Sequence, residues 1–202
     1  MTLTPIFIYS LALIKHACTS VNRELTLLEP RIADAIIRTS EEIQDGKFKN
    51  QFRVDVFQTG SGTSTNMNVN EVIAASANEL ITGNKASKSP IHPNDHVNKG
   101  QSSNDVIPTA IYVATSIRIK ELLLPAMRVL EKSIKNKQPN YDTIVKTGRR
   151  HLMDAMPITL KQEMSGWVAQ IKFANVRIEN TLPKLSELAI GGTAVGTVVN
   201  TP

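Results

Sequence analysis

A repeat of mostly apolar residues between positions 164 and 189 limits what this chain can fold into. The repeat follows alternating spacings of four and three, through Met164, Val168, Ile171, Asn175, Ile178, Leu182, Leu185 and Ala189. This spacing places a stripe along one face of a long α-helix, as in a helix packed in a bundle. Asn175 is the polar member of the stripe, where an asparagine more often sets the register or bonds across a subunit interface than takes part in catalysis. Because a long amphipathic helix needs partners, we expect the protein to form oligomers.

Apolar residues recur at helical spacing in other stretches of the chain and almost nowhere alternate as they do in strands. We therefore predict a mainly α fold. The predicted helices span residues 5–28, 30–45 before Gly46, 68–82 before Gly83, roughly 104–137, and 159–188 before Gly191. Pro125 and Pro183 should kink the last two helices, because proline lacks the N–H group that continues the hydrogen bonding.

The composition excludes several classes of protein. Hydrophobic residues make up 41% and charged residues 20% of the 202 residues, which indicates a folded globular protein. The net charge is +5, yet basic and acidic residues are interleaved and aromatics amount to 4%, so we expect no nucleic-acid partner. The apolar run from Ile6 to Ile14 is too short to cross a membrane. Cys18 is the single cysteine, which favours a reducing compartment and hence the cytoplasm.

Three polar segments separate the predicted helices, at residues 58–70, 91–105 and 146–159. In the first, TGSGTSTN (59–66) combines glycines with hydroxyl groups just before a helix. It suits either an anion-binding loop or an ordinary helix cap. In the second, QSSND (101–105) offers hydroxyls and an amide at the start of the next helix. There the helix dipole favours an anion, although N-capping explains part of the pattern equally well.

Histidines in the polar segments are candidates for chemistry. His92 and His96 are four residues apart, but Pro93 and the turn-forming Asn94-Asp95 favour a loop, so we expect no metal site. His151 lies in GRRHLMDA (148–155), which we predict to be a polar loop. Its ordinary pKa range suits proton transfer, although a lone histidine is more often structural.

Taken together, four segments closely resemble the class II fumarase family: GSGTSTNMNVNEVIA (60–74), HPNDHVNKGQSSND (92–105), GRRHLMDAMPITLKQE (148–163) and LAIGGTAVGT (188–197). The match covers essentially the whole chain in order and spacing. It implies the fold of the homotetrameric aspartase and fumarase superfamily, with an N-terminal domain, a central bundle of long helices and a small C-terminal domain. On this resemblance residues 1–101 correspond to most of the N-terminal domain, and residues 102–202 to the first part of the bundle.

The resemblance also implies a reaction, the reversible hydration of fumarate to (S)-malate without metal or cofactor. The intermediate carries extra negative charge, which positioned hydrogen-bond donors stabilise. By resemblance, His151 handles the proton of the hydroxyl or water. Residues 92–95 match a secondary dicarboxylate site formed by His92, Pro93, Asn94 and Asp95. The substrate-binding positions are matched by Ser61, Gly62, Thr63, Ser102, Ser103 and Asn104.

The chain departs from the family pattern at several points. Arg150 replaces a threonine that touches substrate, where it would either add a dicarboxylate contact or fill the pocket. Lys161 and Val198 replace usual glycines, and a valine is costly if the backbone there needs a positive φ.

The family's third signature, a loop with the serine that acts as carbon-acid base, is absent from the 202 residues. We therefore expect the chain alone to be inactive. Two alternatives stay open: another superfamily lyase such as aspartase, and a non-catalytic short product that assembles with full-length subunits. Aspartase-like sequences usually carry glutamine where His151 stands and asparagine where His92 stands, which favours the fumarase interpretation.

Overall fold

Helices dominate the structure, a computed structural model that describes residues 3–84 and 89–198, and the predicted mainly α fold is confirmed. Among the described residues, no helix is long and apolar enough to cross a membrane. The elements are α1 (Pro5–Glu24), α2 (Pro30–Gln44), α3 (Thr63–Thr82), α4 (Ser103–Arg118), α5 (Leu124–Lys137), β1 (Val145–Arg150), β2 (Met153–Thr159), α6 (Leu160–Glu179) and α7 (Leu182–Leu185).

The chain divides into two compact units. The first unit comprises the residues up to Ala114 together with those from Glu187 onward, and the second comprises Thr115–Ser186. The boundary between residues 114 and 115 falls inside α4. The division expected at residue 101 refers to the domains of the whole superfamily fold and not to these compact units. It therefore stays a prediction.

The first unit is built around α1, α2 and α3, which pack against one another. Their apolar faces, with the start of α4 and the buried residue Ile91, form one core that includes Leu11, Ile36 and Ile73, all 0% exposed. Gly46 follows α2 with φ +84°, and Gly83 ends α3 with φ +74°. These are two of the three glycine stops that the sequence predicts, since α6 ends at Glu179, well before Gly191.

The second unit consists of an antiparallel pair of helices, α5 and α6, and the hairpin of β1 and β2. Arg128 pairs with Glu179 at 2.6 Å, while Lys161 pairs with Asp142 at 2.9 Å, so the chain directions of the two helices oppose each other. The stripe residues from Met164 to Leu185 are buried or half-buried, as predicted. Asn175 donates from Nδ2 to Glu131 Oε2 at 3.4 Å, a contact within the chain.

Several predicted helix boundaries are wrong. Helix α1 stops at Glu24 instead of residue 28, because Thr26 takes a φ of +59° that no α-helix continues. Helix α3 begins at Thr63, five residues earlier than predicted, since Gly62 with φ +66° already turns the chain into it. The hydroxyl-rich segment is thus partly helical.

Prolines explain the differences in the last two helices. Pro183 has no N–H to donate to the Glu179 carbonyl, so α6 ends there and a short α7 follows, where the sequence predicts one kinked helix. Pro125 also lacks an N–H group, and a π-helical segment, Ile119–Leu123, precedes it directly before α5.

Residues 146–159 form a hairpin, so the prediction of a polar loop is wrong. Strands β1 and β2 pair antiparallel, with Val145 opposite Thr159 and Arg150 opposite Met153. The register shifts beside Gly148, where a Cβ would lie 2.7 Å from the Met156 carbonyl oxygen. The bulge therefore needs a glycine at this position.

Candidate active site

The first candidate segment lies at the start of α3. Ser61 and Thr63 are exposed and their hydroxyl oxygens lie 2.9 Å apart. Gly62 is the N-cap residue and has no side chain to cap the helix. The Gln58 side chain accepts the N–H of Thr65 at 3.0 Å. An exposed helix N-terminus with two hydroxyl groups suits an anion.

The second candidate segment lies at the start of α4. Ser102 and Ser103 are half-buried and Asn104 is exposed. Asn104 donates from Nδ2 to the Ala194 carbonyl at 2.8 Å, which fixes the orientation of its side chain. The Ser102 hydroxyl lies 3.4 Å from the Asn104 N–H. This segment adds a second helix N-terminus with hydroxyl groups.

Asp105 organises this second segment and was missed as a site residue by the sequence interpretation. It is 2% exposed, and its Oδ1 accepts the Ser102 N–H at 2.9 Å. Its Oδ2 accepts the N–H groups of Gly191 at 3.2 Å and Thr193 at 2.8 Å. The carboxylate therefore ties the segment at 188–197 to the start of α4, a contact that spacing along the chain does not reveal.

The two segments meet within the first unit. A Cβ built on Gly62 would lie 3.0 Å from Cδ1 and Cγ1 of Ile107, one turn into α4. The positive φ and this close approach both require glycine. The N-termini of α3 and α4 thus share one region, where their dipoles both favour negative charge.

Residues 92–95 form a separate feature, a short π-helical turn over Pro93–Val97 in place of an open loop. His92 Nδ1 lies 3.1 Å from Asp95 Oδ2, and the His92 N–H donates to His96 Nδ1 at 2.9 Å. Asn94 is exposed and Pro93 half-buried. Within the described ranges, no group of three His, Cys, Asp or Glu side chains is placed to hold a metal ion.

His151 lies at the tip of the hairpin in the second unit. His151 and Leu152 have φ of +53° and +61°, so two non-glycine residues make the turn in the left-handed region. The His151 side chain is exposed and makes no hydrogen bond or ion pair among residues 3–84 and 89–198. Arg150 ends β1 beside it and is exposed, while Arg149 pairs with Asp154 at 3.1 Å.

The two other departures from the family pattern have different structural consequences. Lys161 is helical, so its backbone does not need a glycine, and its side chain makes the ion pair with Asp142. Val198 has a φ of +50°, a conformation that strains a β-branched residue. The expected cost of a valine therefore applies at residue 198.

A cavity of about 390 Å³ opens elsewhere in the first unit. Its lining is mostly apolar, from Ile14, Cys18 and Val21 of α1 to Leu188 and Ile190. Asn22, Lys99 and Thr109 also line it, but the surface that they offer is small beside the apolar surface, which does not favour a dicarboxylate. The candidate anion-binding groups are those at the starts of α3 and α4.

The fold and these segments define a helical protein with paired helix N-termini suited to an anion. The sequence profile of the Lyase family matches residues 5–202. The chain therefore belongs to the Lyase family.

Named relatives give more detail. The chain is 53% identical over 195 residues to the class II fumarate hydratase of Rickettsia bellii (strain RML369-C), covering 96% of this chain and 42% of that protein. It is 48% identical over 198 residues to the mitochondrial fumarate hydratase of Homo sapiens, covering 98% and 38%. The crystal structure of recombinant class II fumarase from Schistosoma mansoni superposes with a TM-score of 0.94 at 42% identity, over 100% of this chain and 42% of that one. The chain thus spans about two fifths of the length of these relatives.

Proposed function

We propose that this chain carries part of the active site of a class II fumarate hydratase, which interconverts fumarate and (S)-malate. The observation that carries the proposal is the meeting of two hydroxyl-bearing helix N-termini, at Gly62 and Ile107, in a chain about 50% identical to proteins of that name. Both segments present neutral donors, which stabilise added negative charge without an ion of their own.

Each part of the site has a proposed role. Ser61, Gly62 and Thr63, with Ser102, Ser103 and Asn104, bind a substrate carboxylate and the charge that develops beside it. His151 takes the proton of the malate hydroxyl, or returns one to water, as general base or acid. Its exposure at a hairpin tip leaves both ring nitrogens available. Arg150 lies beside His151, where it either adds a contact to a carboxylate or fills the pocket. Residues 92–95 hold a second dicarboxylate.

We also propose that the protein works as a homotetramer in the cytoplasm, within the tricarboxylic acid cycle. The exposed apolar side chains of the second unit support assembly, because monomeric proteins rarely leave so many uncovered. Light scattering after size-exclusion chromatography tests the tetramer, and cell fractionation tests the compartment. The single Cys18 supports a reducing compartment.

The experiment is a chimera in which this chain replaces the matching 195 residues of the Rickettsia bellii relative. The change in fumarate absorbance is followed with malate as substrate, and ammonia release with aspartate. We expect turnover of malate and none of aspartate. The 202-residue chain alone is the matched control and should turn over neither, because it lacks the serine loop.

A glycine pair tests the carboxylate site in the chimera. Gly62→Ala should lower kcat/KM for malate at least about tenfold, since its methyl group forces Ile107 aside at a positive φ. Gly60→Ala is the control, because nothing lies within 4 Å of its Cβ position and its φ is not positive. Equal kinetics for the two variants would contradict the proposed site, and turnover of aspartate would make the chain an aspartase.

A further variant tests Arg150. We expect Arg150→Thr to raise malate turnover in the chimera, because it removes a charged side chain beside His151. Arg149→Thr is the matched control, one residue earlier and engaged with Asp154. Unchanged kinetics for Arg150→Thr would exclude a role of this residue in the pocket.

A further inference from the structure

Lys15 is a buried lysine that the proposed function leaves unused. It lies in α1 and is 0% exposed, and it makes no ion pair with any residue in the described part of the chain. Its Nζ donates to Asn98 Oδ1 at 2.8 Å and to Gln101 Oε1 at 2.9 Å. Both acceptors are neutral amides that stand directly before the second candidate segment.

These amides hold the turn that leads to Ser102. Asn98 donates from Nδ2 to the Gln101 carbonyl at 3.2 Å, and Gln101 donates from Nε2 to the Val97 and Lys99 carbonyls at 3.1 and 3.3 Å. The two side chains thus close a compact loop over residues 97–101. The ammonium group lies at its centre, because both side-chain oxygens accept from it.

The same group of contacts reaches the first candidate segment. Asn66 donates from Nδ2 to Asn98 Oδ1 at 3.2 Å, so one amide oxygen receives both Asn66 and Lys15. Asn66 is 1% exposed and lies one turn after Thr63 in α3. Lys15 is therefore joined, through Asn98, to the beginnings of both α3 and α4.

The burial of Lys15 lowers the stability of the fold. Burying an ammonium group without a carboxylate partner carries a desolvation cost, and burial lowers the pKa of Lys15 to about 7, partly opposed by Cys18 and Asp105. An apolar residue of the same length would fill the space without that cost. What the lysine adds is two directed hydrogen bonds to one loop.

We infer that Lys15 is a positioning residue of the dicarboxylate site, which fixes the loop 97–101 and thereby the donors of Ser102, Ser103 and Asn104 relative to α3. It touches no reacting group itself. The inference rests on the proposed function for the identity of the ligand, whereas the positioning of the loop can be measured without any ligand.

The first test is hydrogen–deuterium exchange of the 202-residue chain by mass spectrometry. Lys15→Met keeps the length and removes the donors. We expect exchange at least about tenfold faster in residues 97–105 and at the start of α3, with α2 unchanged. Thr19→Val is the control on the same helix, since Thr19 is 1% exposed and its hydroxyl has no hydrogen-bond partner in the described part of the chain. It should leave exchange unchanged.

A second variant covers the case in which Lys15→Met unfolds. Gln101→Met removes one acceptor and keeps the lysine, and should accelerate exchange in the same residues by about threefold. Unchanged exchange in residues 97–105 overturns the inference. An equal acceleration across α1, α2 and α3 also overturns it, because that result indicates a lysine important only for general stability.

The second test measures malate kinetics in the chimera. Displaced donors should raise KM at least about tenfold in Lys15→Met, whereas a loss of folded enzyme lowers kcat at constant KM. Thr19→Val should keep both constants. A change in kcat alone overturns the inference. If the unaltered chimera is inactive, the proposed function fails, and the exchange experiment still decides the role of Lys15.

Discussion

The two units differ most in what they do with apolar side chains. In the first unit α1, α2 and α3 enclose a core in which many side chains have no exposed surface. Among the side chains of the second unit, only Leu124, Met164 and Asn175 are buried, while Leu130 is 51% and Phe173 60% exposed. A unit that buries so little cannot owe its stability to its own core. The first unit therefore has a core of its own, whereas the exposed apolar side chains of the second unit are those that the proposed tetramer would cover.

The sequence supplies a separate probe for each unit. Cys18, the single cysteine, lies in the first unit, and Trp167, the single tryptophan, lies in the second. Burial raises the pKa of the Cys18 thiol to about 11, so it reacts slowly until the unit opens. Thiol labelling and tryptophan fluorescence thus give each unit a signal of its own.

The largest effect is expected from Asp105→Ala in the first unit. The change leaves the N–H groups of Ser102, Gly191 and Thr193 without their buried acceptor. We expect a loss of about 4 kcal/mol in unfolding free energy, measured by thiol labelling in denaturant. Asp154→Ala is the control in the second unit, where an exposed pair with Arg149 should contribute under about 1 kcal/mol. Similar losses of unfolding free energy in Asp105→Ala and Asp154→Ala would contradict the proposed difference in stability between the two units.

Leu11→Ala should lower the unfolding free energy somewhat less than Asp105→Ala does. Leu11 is 0% exposed in the core of the first unit, and its removal leaves a cavity worth about 3 kcal/mol. The matched change Leu130→Ala, at an exposed position of α5, should alter the stability of the isolated chain by less than about 0.5 kcal/mol. In an assembled chimera, however, Leu130→Ala should weaken association. A large cost of Leu130→Ala in the isolated chain would show that the second unit has a core of its own.

The difference between the units also explains which features could be predicted from the sequence. Helix α2 and the stop of α3 at Gly83 were predictable, because periodic burial and a left-handed glycine leave local marks. The hairpin was not. Strand β2 is exposed over most of its length, so MDAMPIT shows no alternation, and its turn is made by His151 and Leu152 instead of an Asn-Gly pair.

The candidate site was predictable only in part, for a similar reason. The segments at Ser61 and Ser102 were recognised by composition and by resemblance, which are local properties. Their supports were not, because Lys15 lies 83 residues from Asn98 and Asp105 lies 88 residues from Thr193. From sequence alone, a lysine in an apolar helix is predicted to lie at the surface. Its hydrogen-bond acceptors are distant in the chain and become its neighbours only in the folded protein. Long-range polar pairs of this kind carry no spacing signal.

A smaller effect is expected from pH. Because the pKa of Lys15 falls from 10.5 to about 7 on folding, the unfolded chain binds more protons between these values, and stability rises with pH there. The raised pKa of Cys18 acts in the opposite sense above pH 9. Between pH 7 and 9 we expect a gain of about 1 kcal/mol per pH unit in the first unit. Lys15→Met should abolish this slope, and a slope that persists in the variant would assign it to another group.

The smallest expected effect is a gain in the stability of the second unit. Comparing this effect in the isolated chain and in the chimera distinguishes the stability of helix α6 itself from the stability of the assembly. Gly166 lies inside α6 with open space around its Cβ position and without a positive φ. Gly166→Ala should therefore stabilise the second unit by up to about 1 kcal/mol, seen as a later transition in Trp167 fluorescence. Gly148→Ala is the opposite control, because its methyl group meets the Met156 carbonyl and should open the hairpin. If Gly166→Ala stabilises the isolated chain but weakens the tetrameric chimera, the open space beside α6 belongs to a subunit contact. If it stabilises both, that face of α6 remains in solvent, and the apolar residues on other faces of the unit make the interface.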